Sequence, residues 1–157
     1  MDIDYTPVNE TIYNDMFEDS EGSRVFLLSP SKANAVWESY IDPVATSYFS
    51  LPDDNWVIHN EQLKSTDWIE FYNSGNSKGF ADIIQNSVNW AEDTEVFYFA
   101  KKSIVFSSSW KVFLNCWHGF LASEDDCPLL MPKKGREALM FRPIGDVIKI
   151  TRDSVGS

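Results

Sequence analysis

The chain has 157 residues, of which 43% are hydrophobic and 15% aromatic, and it carries a formal net charge of −11 at pH 7. A chain of this length is sufficient for one domain that folds without disulfides or a structural metal. The excess of acidic groups argues against nucleic acid and anionic membranes as partners, because both attract basic proteins. Two cysteines are too few for a disulfide framework, and we expect a reduced, cytoplasmic protein.

The first elements follow from local composition. Residues 1–22 are acidic and polar, and we expect an extended arm there, or a short helix over residues 11–17. The apolar run over residues 24–28 predicts a buried strand. Ser29 and Pro30 suit the N-cap and the first position of a helix, which we predict to continue to residue 40.

The middle of the chain is less regular. Residues 42–77 lack a clear hydrophobic period, and we predict a loop-rich segment with short helical turns at Trp56 and Trp68. Beyond this segment, apolar residues at helical spacing predict a helix over residues 80–88, with Ser77 as its N-cap.

The clearest pattern lies in the second half. Strands are predicted over residues 95–100 and 103–106. Ser108 or Ser109 then caps a helix, because the serines of this run suit helix capping. The helix carries a complete apolar stripe of Trp110, Phe113, Leu114, Trp117, Phe120 and Leu121.

The remaining pattern predicts a meander of three strands. The strands cover residues 127–131, 136–141 and 146–151, and residues 153–157 form a frayed tail. The predicted fold is therefore a single α+β domain, in which an antiparallel sheet with a C-terminal three-strand meander packs on a central amphipathic helix and two or three other helices.

Reactive residues do not converge in the sequence. Cys116 and His118 lie two residues apart on a predicted helix and so point in different directions. Cys127 follows three acidic residues that would raise the pKa of its thiol, and His59 has no partners at the spacing of a metal site. We therefore predict no catalytic residue, metal or cofactor. Residues 133–136 read as a hairpin tip, with a small anion site as the functional alternative.

Acidic and aromatic residues predict a surface for a partner. Residues 1–99 contain 18 acidic and 4 basic side chains, which favours a basic protein as the partner. Tryptophan and tyrosine beside carboxylates in irregular segments are typical of binding surfaces, although packing beneath loops is the simpler interpretation. The candidate partner-binding residues are Asp53, Asp54, Trp56, Trp68, Glu70, Tyr72, Trp90, Glu92 and Asp93.

The order of residues between Asn89 and Lys134 resembles a known family. Asn89-Trp90 is followed by Asp93-Thr94, then by the spaced Trp110, Phe113, Trp117 and Phe120, and finally by Asp125-Asp126 and Pro128-Leu129-Leu130. This order resembles a family of bacterial proteins of about 150 residues that is classed as a domain of unknown function. The resemblance covers roughly residues 56–150, and the first 50 residues match poorly. Cys127 stands where the family has glycine, and the resemblance implies no catalytic residue.

Three functions fit these observations. The first is a non-catalytic cytosolic protein that binds a protein partner, such as a basic toxin or nuclease. The second is a small-molecule enzyme or ligand carrier that uses carboxylates in an aromatic pocket. The third is a structural subunit, for example a homodimer formed through a strand edge.

Overall fold

The computed structural model describes residues 4–13, 15, 24–45, 51–52, 55, 57, 61–62, 67–121, 128–135, 137–142 and 145–151. Within these residues the strands are β1 (Tyr5–Pro7), β2 (Phe26–Leu28), β3 (Glu61–Gln62), β4 (Glu95–Lys101), β5 (Ile104–Ser109), β6 (Leu129–Pro132), β7 (Glu137–Phe141) and β8 (Val147–Thr151). The α-helices are α1 (Pro30–Tyr40), α2 (Trp68–Ser74), α3 (Ser77–Ser87) and α4 (Trp110–Leu121). None of these helices is long and apolar enough to cross a membrane.

The strands form one antiparallel sheet in the order β1-β2-β5-β4-β6-β7-β8-β3. β6, β7 and β8 are neighbours, so the predicted C-terminal meander is confirmed. The described strands at both edges are short, with three residues in β1 and two in β3. β1 also ends in Pro7, and short strands with proline offer little backbone for pairing with another sheet.

Both faces of the sheet are buried, which explains why its central strands read as continuous apolar runs. Alternate residues of β4 point to opposite sides. Val96 and Tyr98 pack in one hydrophobic cluster together with α2, α3 and α4, and we call this side the helical face. Phe97 and Phe99 pack in a second cluster together with α1, and we call this side the α1 face. The arrangement confirms the predicted α+β class.

The central helix has the predicted apolar stripe. The Ser109 hydroxyl accepts a hydrogen bond from the Val112 amide at 3.2 Å and thereby caps α4. All members of the stripe are buried apart from Leu114, which is half-buried. The backbone leaves helical geometry at Cys116, with φ −137° and ψ 29°. Trp117 is nevertheless buried, so the kink leaves the stripe on the sheet side.

The start of α1 is also as predicted. The Ser29 hydroxyl accepts a hydrogen bond from the Lys32 amide at 3.2 Å, and Pro30 takes the first helical position. Ala33, Val36 and Trp37 are buried against the α1 face. The Trp37 indole donates a hydrogen bond to the Ala45 carbonyl at 2.7 Å, which ties the segment after α1 to the helix.

Several predicted boundaries are corrected by the structure. α3 begins at Ser77 and its N-cap is Asn76, whose side chain accepts a hydrogen bond from the Gly79 amide at 3.1 Å. Asn and Ser are about equally good N-caps, so local sequence does not separate them. Residues 5–7 do not form a separate arm, because they pair with β2 as an edge strand.

Other predictions fall partly or wholly outside the described residues. The helical turn expected at Trp68 is α2, a helix of seven residues. The turn expected at Trp56, residues 14, 16 and 17 of the short helix expected over residues 11–17, and the frayed tail lie outside the described part of the chain.

Candidate functional site

A cleft of about 310 Å³ opens on the α1 face of the sheet. It lies where β4 begins and β5 ends, and we call it the Lys133 cleft. Its lining comprises Tyr5, Phe26, Glu95, Ser107, Ser108, Ser109 and Lys133. The volume is at the lower end of the range for small-molecule sites, which is about 300–1,000 Å³.

Strand register brings the lining residues together. Ser107 pairs with Phe97 on one side and with Phe26 on the other, and Ser109 pairs with Glu95. Because directly paired residues and residues two apart share a face of the sheet, these side chains stand on the same side as Phe97. The cleft therefore combines residues of the first strands with residues of the last third of the chain.

Two hydrogen bonds to its backbone position Lys133 immediately after β6. Its amide donates to the Glu95 carbonyl at 2.9 Å. Its own carbonyl accepts a hydrogen bond from the Tyr40 hydroxyl of α1 at 3.1 Å. The side chain thus starts from a fixed point between the sheet and α1, as a group that recognises a ligand requires.

The Lys133 ammonium lies against aromatic rings. Its Nζ atom is 4.8 Å from the centroid of the Phe97 ring and 5.6 Å from that of Tyr5. Both distances are within the range of cation–π attraction. The carboxylate of Glu95 is 3.8 Å away, which is longer than a charge-assisted hydrogen bond.

Burial lowers the pKa of Lys133 below its ordinary value of 10.5, and the charge of the nearby Lys32 lowers it further, while Glu95 acts in the opposite direction. Only 23% of the Lys133 side chain is exposed, compared with 75% for Glu95. The ammonium is therefore partly removed from water and is only weakly compensated by the carboxylate at the rim.

The three serines of the lining have different roles. Ser109 caps α4, and the Ser108 hydroxyl donates to the Arg24 carbonyl at 2.9 Å. Ser107 is buried, and its hydroxyl has no hydrogen bond to any described residue. Helix capping therefore explains one serine of the run, and Ser107 is left with a hydroxyl that can face a ligand.

Two of the predicted partner-binding tryptophans, Trp68 and Trp90, pack against other residues of the chain. Trp68 is buried, and its indole donates a hydrogen bond to the Arg142 carbonyl at 2.8 Å. Trp90 is half-buried and packs edge-on against Trp110, with ring centroids 4.9 Å apart. The ring of Trp68 packs against Tyr72 of α2, whereas that of Trp90 packs against Trp110 of α4, so the two residues do not form one aromatic pocket.

The other predicted candidates are exposed where they are described. Glu70, Glu92 and Asp93 lie at the surface, as does Tyr72, which is 40% exposed while its ring packs near Trp117. Asp53, Asp54 and Trp56 lie outside the described residues.

A second groove, of about 430 Å³, lies between α3 and α4. Asp82 and Glu92 contribute negative charge to it, and Lys78 and Lys111 contribute positive charge. Lys78 and Asp82 form an exposed ion pair at 3.3 Å. Since the opposite charges compensate each other, this groove shows no selectivity for one sign of ligand.

The reactive residues are dispersed where they are described. The Cys116 thiol is buried and donates to the Val112 carbonyl at 2.9 Å, whereas His118 is exposed on the same helix. Cys127 and His59 lie outside the described residues. Within the described part of the chain, no three His, Cys, Asp or Glu side chains are grouped as a metal site would require.

Sequence reasoning identified only part of the cleft. The loop containing Lys133 was predicted as a hairpin tip with an anion site as the alternative, and the structure places Lys133 in the cleft. Tyr5, Phe26 and Glu95 were not predicted as site residues. Their only local signal is an aromatic or charged side chain at the first position of a strand, which is too common to be selective.

Family comparison covers more of the chain than the sequence motifs indicated. A family model described as a protein of unknown function, DUF2947, matches residues 13–149. The match therefore begins well before residue 56, and most of the first 50 residues belong to it. No curated protein and no solved structure matches the chain. Since the family model spans most of its length, this chain belongs to the DUF2947 family of proteins of unknown function.

Proposed function

We propose that this chain binds a small organic anion in the Lys133 cleft. The observation that carries the proposal is the position of the Lys133 ammonium, which lies against two aromatic rings at the wall of a cleft of about 310 Å³. Aromatic walls with a few convergent polar groups are typical of small-molecule sites.

Electrostatics favours an anion as the ligand. A charge that is partly removed from water is unfavourable unless a counter-ion or hydrogen bonds compensate it. Glu95 is too exposed and too distant, at 3.8 Å, to compensate fully, and Lys32 adds a second positive charge nearby. A bound carboxylate or phosphate would supply the missing negative charge and could accept a hydrogen bond from Ser107.

Binding of 3-phenylpropionate and phenyl phosphate, followed by ligand-detected NMR and calorimetry, tests the proposal. Lys133→Met should weaken binding at least tenfold, whereas Lys134→Met, at an exposed neighbouring position, should leave it unchanged. While the ligand stays ionised and Lys133 stays protonated, affinity should be constant, and it should fall as pH rises through the lowered pKa of Lys133, because the neutral amine no longer attracts an anion. Equal binding by both variants, or no binding by the unmodified protein, would overturn the proposal.

A protein partner is the second candidate function, and the exposed residues of the helical face favour it. Glu70 and Tyr72 lie on α2, and Glu92 and Asp93 lie in the turn before β4. A basic partner would be attracted to these carboxylates, and the association would weaken with added salt. Capture from a native lysate at low and high salt, by the unmodified protein and by a Glu70→Lys/Glu92→Lys variant, tests this function. A partner retained equally by both proteins would contradict it.

A further inference from the structure

The Lys133 cleft contains both signs of charge at a short distance, and this feature indicates which anion fits it. The Lys133 Nζ and the Glu95 carboxylate are 3.8 Å apart. Within the described part of the chain, neither group forms a side-chain hydrogen bond at closer range. Both therefore keep their hydrogen-bonding capacity for a ligand.

A ligand that complements this pair must have a carboxylate and an ammonium close together. A free α-amino acid has them on a single carbon atom. With its carboxylate toward Lys133 and its ammonium toward Glu95, the four charges alternate in sign around a ring. Each new contact is a hydrogen bond between ions, which is roughly twice as strong as one between neutral groups.

The rest of the cleft suits an apolar side chain. Tyr5 and Phe26 line it with aromatic surface, and the Phe97 ring lies beneath the ammonium of Lys133. A volume of about 310 Å³ suits a single small molecule. Buried apolar area and the edges of aromatic rings stabilise an aliphatic or aromatic group more than a polar one.

We infer that the Lys133 cleft binds a free α-amino acid with an apolar or aromatic side chain, its carboxylate on Lys133 and its ammonium on Glu95. This inference depends on the proposed function, because it names the ligand class of the same site. It adds a specific role for Glu95, which the binding of a simple anion does not require.

Three related ligands test the inference on the full chain: L-phenylalanine, 3-phenylpropionate without the amine, and 2-phenylethylamine without the carboxylate. Phenylalanine should bind at least tenfold more tightly than either of the others. Glu95→Gln should lower the affinity for phenylalanine at least fivefold. The affinity for 3-phenylpropionate should stay the same or rise, because the substitution removes a carboxylate that repels this ligand. Glu10→Gln, at an exposed position outside the cleft lining, is the matched control and should change neither affinity.

Lys133→Met should lower the affinity for both carboxylate ligands. If this variant folds poorly, Lys133→Arg replaces it in the test and, because it keeps the positive charge, should retain part of the affinity. If 3-phenylpropionate depends on Lys133 but binds as tightly as phenylalanine, the amino-acid inference is overturned while the proposed function stands. If no carboxylate ligand binds, or if the affinity is the same with and without the Lys133 ammonium, both the proposed function and the amino-acid inference are overturned.

Discussion

The two faces of the sheet are covered differently. On the helical face, α2, α3 and α4 bury a dense aromatic cluster, in which the Phe80 and Trp117 rings are 4.5 Å apart. On the α1 face, one helix and parts of the segment after it provide the described cover. Among the described residues, the α1 face has less cover, and the candidate site lies on it. Complete packing thus contributes stability, whereas incomplete cover leaves space for a ligand.

Dimensions explain the difference. A helix of 11 residues is about 16 Å long, whereas a sheet of eight strands is about 34 Å wide at the usual strand spacing. α1 therefore cannot cover the whole width. Polar residues occupy the end of this face that α1 leaves open. They are Glu95, the first residue of β4, and Ser109, the last residue of β5.

The largest expected effect is on the helical face. Trp117 is fully buried, and its indole donates a hydrogen bond to the Ser77 carbonyl at 3.0 Å. Trp117→Ala should lower the free energy of unfolding by about 3–5 kcal/mol, because it removes a large buried ring and leaves a cavity. Urea denaturation measures this loss. Trp117→Phe retains most of the ring and should lose less, and equal losses in both variants would contradict the packing explanation.

A smaller effect is expected at Trp68, and it distinguishes a structural role from partner binding. Trp68→Phe removes the hydrogen bond to the Arg142 carbonyl and should lower the free energy of unfolding by about 1–2 kcal/mol. Tyr72→Phe removes a hydroxyl from an exposed ring and should change it by less than about 0.5 kcal/mol. Chemical denaturation of both variants provides the comparison. A neutral Trp68→Phe would show that the indole hydrogen bond is dispensable.

On the α1 face, Lys133→Met should not destabilise the protein. The methionine keeps an apolar chain against Phe97 and removes an ammonium whose partial burial is unfavourable. We expect the free energy of unfolding at pH 7 to stay within about 1 kcal/mol of the unmodified value or to rise. A clear loss of stability in thermal and urea denaturation would indicate that Lys133 serves the fold rather than a ligand.

The smallest effect concerns Asp42, in the segment after α1. Its carboxylate accepts hydrogen bonds from the Ala45 amide at 2.6 Å and the Val44 amide at 2.9 Å. These bonds lower the pKa of Asp42 below 3.8. The resulting stabilisation is complete above pH 3.8 and is lost as pH falls through the lowered pKa.

Asp42→Asn should therefore be less stable than the unmodified protein at pH 7, and the difference should shrink in acid. Urea denaturation at a series of pH values measures it. Asp93→Asn, in an exposed turn, is the control and should not show this dependence of stability on pH. A difference that stays constant from pH 7 to pH 2 would show that the charge of Asp42 has no part in it.

Local sequence determined much of the fold. Ser29-Pro30 and Ser109 mark the starts of α1 and α4 because capping depends only on neighbouring residues. The stripe of α4 is likewise a short-range pattern, as are the turn residues that predicted three successive strands, and the structure has both the stripe and the neighbouring strands. The family resemblance also depended on the spaced aromatic residues of α4, because a fixed local spacing can be recognised without the structure.

Tertiary structure alone decided the site. The Lys133 cleft joins Tyr5 and Phe26 from the start of the chain with Lys133 near its end, and the pairing of β2 with β5 brings them together. Strand pairing over such distances leaves no local periodicity, so the sequence indicated only the loop of Lys133 and not the rest of the cleft. Whether Trp68 is buried was decided in the same way, because its partner at Arg142 is remote in the chain.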